Sequence, residues 1–295
     1  MKKWILAGLS VILVLLAIVY LLLPSPDSVS GRIGIRSSAD GIYRTMSQQE
    51  KWDSLAGAKF TIEKRLVNTI ILATKRSNPD TVHLLLIPLD NDSVDISWRV
   101  ALSPGSGVFS KWSHNRYAAE TRNNINNALE KFRVFLEDEK NLYGISITDT
   151  TTYDTLLLAT RFITNSYPSA SETYRQVEKL QTTAQELNAA STGFPMLNVT
   201  KTDSGTFRCM VALPINKVVN NKGDVFFLRM VPGRFLAADV KGGPYTIIRA
   251  HEMMQLYFKD FKRISMAIPF EYMITNRLDE PDTSKWVSKI YGPVF

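Results

Sequence analysis

VPGRFLAADVKGGPY (residues 231–245), TIIRAHEMMQLYFKDF (246–261), AIPFEYMITN (267–276) and SKWVSKIYGPVF (284–295) together decide how this chain folds. Pro232-Gly233 is a turn that opens a strand. Gly242-Gly243 ends that strand, and Pro244 suits the first turn of a helix, where its missing N–H is not needed. A second strand carries Phe270-Glu271-Tyr272-Met273 and a third closes the sequence. Glu271 lies inside an apolar strand, where an unpaired carboxylate is costly to desolvate. It is therefore the candidate anchor for a cationic or hydrogen-bonding ligand. The alternative is a structural ion pair with Arg234, Lys241 or Lys289. Side chains alternate across a strand, so Met273 shares the face of Glu271 while Phe270 and Tyr272 take the other. Met273 then belongs to the pocket, as a soft and adaptable wall. Tyr245 and Trp286 are the aromatic wall candidates, with plain core packing as their alternative.

The preceding stretch repeats the same order. Residues 153–164 read as a strand, and Leu156-Leu157-Leu158-Ala159 is a continuous apolar run of the kind buried on both faces. Residues 169–188 read as a helix with Tyr174, Val177, Leu180, Ala184 and Leu187 as its stripe. Residues 196–200 and 206–213 pair across Asp203-Ser204-Gly205, and two further strands follow at 226–230 and 235–240.

The Pro-Gly turn, the Gly-Gly-Pro-Tyr junction and the Pro-Phe-Glu strand start resemble the GyrI-like small-molecule-binding domain, the AraC-type effector-binding domain of multidrug-responsive activators. That resemblance implies a duplicated strand–helix–strand–strand module with an antiparallel sheet, whose groove takes bulky, often cationic, aromatic compounds. It also implies Glu-x-Tyr in the last motif. Met273 stands at that tyrosine position, which removes a proton donor from the site and argues against catalysis.

Upstream, strands are expected at 31–37, from a start at Phe60 and Ile62, and at 69–74, 81–88 and 94–102, with one or two short helices over 39–55. The last of these strands has the clearest alternation, with Val94, Ile96, Trp98, Val100 and Leu102 on one face. Tyr117, Thr121, Ile125, Leu129, Phe132 and Leu136 then mark one face of a long helix. This order resembles a START-like (SRPBCC, polyketide-cyclase-like) helix-grip domain, with 30–55 as its opening and 137–147 as its ending. The resemblance implies a cavity for an apolar ligand between helix and sheet. The alternative is that Trp98 and the helix stripe simply fill a core. The polar, β-branched stretch 149–152 marks the expected domain boundary.

At the other end, Lys2-Lys3 precede residues 4–23, about 20 uncharged residues and long enough to cross a bilayer as a helix. The run exceeds a signal-peptide core and lacks a small-x-small cleavage site, which favours an uncleaved anchor. Flanking charge puts the N-terminus in the cytoplasm and the rest outside it, in the periplasm of a Gram-negative cell. Net charge is +7, but the basic residues are scattered, so no nucleic-acid partner is expected. A lone cysteine, Cys209, rules out an internal disulfide. The three histidines are far apart and none sits at metal-ligand spacing, so neither metal nor other cofactor is expected. His251, on the stripe of the last helix, reads as a packed histidine.

The expectation is thus an α+β chain in three parts: an anchor and linker (1–27), a START-like domain (28–149) and a GyrI-like domain (150–295). Its expected role is membrane-anchored, non-enzymatic binding of a hydrophobic or cationic small molecule, with no catalytic residue. The alternatives are a hydrolase with Glu271 as general base, and a structural envelope protein without a ligand.

Overall fold

In strand β5 (Val94–Ala101), alternate residues Val94, Ile96, Trp98 and Val100 are buried. The strand lies between β1 (Ser28–Ile35) and β4 (Thr81–Pro88) in an antiparallel sheet of order β1-β5-β4-β3-β2. Strands β2 (Phe60–Leu66) and β3 (Thr69–Thr74) complete it. Two short helices, α1 (Ala39–Met46) and α2 (Gln49–Ala56), follow β1, and the long α3 (Ser110–Leu136) packs on β1 and α2. These elements come from a computed structural model that describes residues 26–102, 110–151, 155–265 and 268–294, with Val14 and Ile18 ahead of them. The expected anchor, 4–23, therefore lies outside the described residues apart from Val14 and Ile18. Among the described residues no helix is long and apolar enough to cross a membrane.

The chain is α+β with antiparallel sheets and divides into two units, Met1–Asp138 and Glu139–Phe295. In the first, Trp52 lies against Phe132 (ring centroids 4.5 Å) and Phe60 (5.6 Å), and Trp98 is buried in the sheet. A Cβ on Gly31 would come within 2.7 Å of the Trp98 indole, so β1 passes the tryptophan at a distance only glycine permits. A recess of about 300 Å³ opens where α3 meets the ends of β2 and β3, but it is polar rather than apolar. Its Arg76 pairs with Glu120 at 3.0 Å and its Lys59 with Asn124 at 3.1 Å.

The second unit is one eight-stranded antiparallel sheet of order β10-β7-β9-β8-β12-β13-β11-β6. Its first half runs β7 (Leu156–Thr164), α5 (Ala170–Glu186), β8 (Met196–Lys201), β9 (Phe207–Pro214). The second half runs β11 (Arg234–Lys241), α6 (Pro244–Asp260), β12 (Phe270–Met273), β13 (Val287–Val294). Helices α5 and α6 are both 17 residues long, and β8 pairs with β12 at the centre of the sheet. This is the duplicated strand–helix–strand–strand order expected from sequence. Ser169 and Glu172 form a capping box at the start of α5, while Pro244 starts α6 behind Gly242, whose φ is 143°.

The division falls earlier in the chain than the polar stretch at 149–152. That stretch is not a linker: Thr148–Thr151 is strand β6, paired with β11. The residues before it, read above as the end of the first domain, pack in the second. Tyr143, at the end of α4 (Glu139–Tyr143), is buried with Leu236, Ile247 and Met254, and its hydroxyl donates to Asp260 at 2.8 Å.

The sheet is strongly curled. Strand β10 (Phe226–Arg229) and strand β11 are six places apart in strand order, yet only residues 230–233 join them. In a flat sheet six spacings would be about 29 Å, whereas this connection spans at most about 18 Å. The inside of the curl holds Phe235, Phe270, Tyr272, Met196, Leu157 and Ala212.

Candidate functional site

Glu271 is the second residue of β12, as Leu197 is of β8, and the two face each other across the centre of the duplicated sheet. The duplicated module thus puts a carboxylate in one half where the other half has a leucine. Glu271 forms the floor of a cleft of about 170 Å³. Helix α6 supplies one wall through Ile248, His251, Glu252 and Gln255, and Tyr167, from the loop before α5, lies on the opposite side.

The carboxylate is not unpaired. Arg277 donates from a terminal nitrogen to Glu271 Oε2 at 2.6 Å, and the two side chains are only 4% and 2% exposed. The same nitrogen donates to Ser288 Oγ at 2.9 Å, and the guanidinium stacks on Trp286, 5.0 Å from the ring centroid. Among the described residues Arg277 Nε is buried with no hydrogen-bond partner. The ion pair expected as the alternative therefore exists, but its base is Arg277, from the loop after β12, rather than Arg234, Lys241 or Lys289. Arg234 pairs with Asp149, and Lys289 lies 4.0 Å from Asp239.

The other candidates separate. Met273 is buried against Leu158, Tyr174, Val177 and Leu180, in the core under α5, and does not line the cleft. Trp286 is buried, but its ring backs Arg277 and its indole N–H donates to the Glu280 carbonyl at 2.8 Å, so it supports the site from behind. Tyr245, 78% exposed at the start of α6, is not a cleft wall.

Two residues join the site that were not placed there from sequence. Burial lowers the affinity of the His251 imidazole for a proton, with the Glu271 charge opposing it, so the ring is neutral at physiological pH. Burial and then the Glu271 charge push the Tyr167 phenol far above its usual range. Tyr167 brings back a hydroxyl near Glu271 from a different part of the chain than the Glu-x-Tyr position. The signal for it was Tyr167-Pro168, the junction that precedes α5 as Gly243-Pro244 opens α6. Cys209 is buried, its thiol pushed up to about 11 by desolvation, and it is not nucleophilic. Among the described residues no group of three or more His, Cys, Asp or Glu could hold a metal ion.

No protein-family model matches the sequence, and no curated protein matches it. Solved structures do. The C-terminal domain of EcmrR is similar over 51% of this chain and 98% of that one, at 15% identity and TM-score 0.44. SAV2435, solved bound to tetraphenylphosphonium, is similar over 51% of this chain and 94% of its own, at 12% identity and TM-score 0.34. A START superfamily protein from Mycobacterium smegmatis is similar over 36% of this chain and 97% of its own, at 15% identity and TM-score 0.28.

Proposed function

We propose that the protein is a membrane-tethered receptor that binds a small hydrophobic molecule, without turning it over, in the cleft between α6 and the Tyr167 loop. The observation that carries this reading is the Glu271 floor of that cleft, with neutral His251 and Tyr167 beside it. A concave site with a few convergent polar groups is what a small-molecule site needs. Arg277 already neutralises Glu271, which favours a neutral ligand over a cationic one. The size of the cleft favours a compact ligand too. A cavity of about 150 Å³ accepts benzene, while drug-sized ligands occupy about 300–1,000 Å³. One aromatic ring with a hydrogen-bonding substituent suits the space, which is smaller than the bulky compounds expected from sequence would need.

The test is a titration of the full chain with matched neutral and cationic single-ring fluorophores. Ile248 is half-buried on the cleft wall, so Ile248→Trp fills the cleft without disturbing the core. It should weaken binding of the neutral probe at least tenfold, and an unchanged affinity removes the cleft from the function. The hydrolase alternative gains one point from the Tyr167 hydroxyl, although Arg277 already occupies one oxygen of Glu271. Turnover of an electrophilic probe that disappears in Tyr167→Phe would replace binding with catalysis.

The tether is residues 4–23, with the N-terminus in the cytoplasm and both folded units on the far side. His114 Nε2 donates to the Pro26 carbonyl at 2.8 Å, fixing α3 close to where that run ends, and Trp112 on the same helix is 62% exposed. Tryptophan is enriched at membrane interfaces, which supports this placement. Carbonate-resistant membrane association should be lost when residues 1–23 are removed; a truncated chain that still resists extraction would overturn the tether.

A further inference from the structure

The inside of the curled sheet, away from the helices, holds a larger cavity than the cleft. This cavity is about 410 Å³, within the range of small-molecule sites. Its floor is Leu157, Met196, Ala212, Phe235 and Phe270, contributed by five different strands. The 230–233 connection that bridges the curl forms one rim, with Val231 74% exposed, and Ile268 on another rim is 53% exposed. The mouths of curled and closed sheets are common ligand sites because the inward-facing side chains cannot fill them completely. Met196, Met210 and Met230 give this wall an adaptable surface.

Among the described residues no aspartate or glutamate lines the cavity, and the charged lining residues are Arg229 and Arg234. Arg234 is engaged by Asp149, while Arg229 is exposed and has no ion pair among the described residues. An apolar interior with a cation at its rim complements an alkyl chain ending in an anion. We propose that this cavity is a second binding site, separate from the Glu271 cleft, for an anionic amphiphile with a single alkyl chain. The chain would lie over Phe235 and Phe270, and the head group would meet Arg229.

The experiment titrates the full chain with dansyl-labelled undecanoic acid and, separately, with the matching neutral alcohol. Val231→Asp and Ile268→Asp place charge in the apolar mouth at exposed positions, so the fold is retained. Each should lower affinity for the acid at least tenfold. Arg229→Ala should lower affinity for the acid about fivefold and leave the alcohol unchanged. Ile248→Trp, in the other cleft, should leave both probes unaffected, so this site stands or falls independently of the proposed function. Saturation by the monomeric probe identifies a free amphiphile as the ligand class. Binding seen only with phosphatidylglycerol vesicles identifies a lipid still in its bilayer, and both results uphold the site. No saturable binding, or binding that Val231→Asp and Ile268→Asp leave within twofold, overturns it. An equal response of acid and alcohol to Arg229→Ala overturns the anionic head group.

Discussion

A buried guanidinium beside a buried carboxylate stabilises a fold only while both are present. Removing one partner leaves the other charge uncompensated in a low dielectric, whereas removing both in favour of apolar groups is often neutral or better. Glu271 and Arg277 meet that condition, and the guanidinium is also held by the Ser288 hydroxyl and the Trp286 ring. Arg277→Met should therefore destabilise the protein by about 3–5 kcal/mol, read as a lower urea midpoint at unchanged slope. Arg277→Met with Glu271→Leu should recover most of that loss; a double variant no more stable than the single one would show that the pair is not what the site relies on. The need for a partner was legible at Glu271 from the cost of burying it in an apolar strand. The identity of the partner was not. Arg277 lies in a loop with no periodicity, held by local bonds such as Leu278 N–H to Asn276 Oδ1, and only its path brings it back under β12.

Elements whose two faces differ were the ones the sequence specified well. Thr69–Thr74 and Thr81–Pro88 alternate buried and more exposed residues along their length, and their limits are those expected. Strand β6 has no apolar face, since Thr148–Thr151 is an edge strand, so nothing in its composition separated it from a linker. Close packing of α6 on the sheet depends on a feature the hydrophobic pattern does not record. On β13, Gly292 lies under the Phe258 ring of α6, and a Cβ there would come within 2.5 Å of a ring carbon. The ring is buried and Met254 lies 3.4 Å from the same added Cβ, so the methyl would force the ring to swing within a closed core. Gly292→Ala should destabilise by about 1–3 kcal/mol, as overpacking of a closed core does. A thermal midpoint equal to that of the unchanged protein would mean that α6 rides more loosely on the sheet.

At the scale of the whole molecule, the two units each close a sheet of their own, which makes the boundary between them an experimental quantity. A cut before Glu139 keeps α4, β6 and the residues between them with the sheet they pair and pack against. A cut at residue 150 instead removes the buried Tyr143 ring, its bond to Asp260, and half of the strand that covers the β11 edge. Losing a buried aromatic side chain alone costs about 3–5 kcal/mol, and exposing part of the β11 edge leaves strand N–H and C=O groups open to pairing between copies. Residues 139–295 should therefore fold as a soluble, cooperative unit, while residues 150–295 should unfold at markedly lower urea or associate. Equal urea midpoints for the two fragments would return the α4 segment to the first unit and remove the basis for placing the boundary at Asp138.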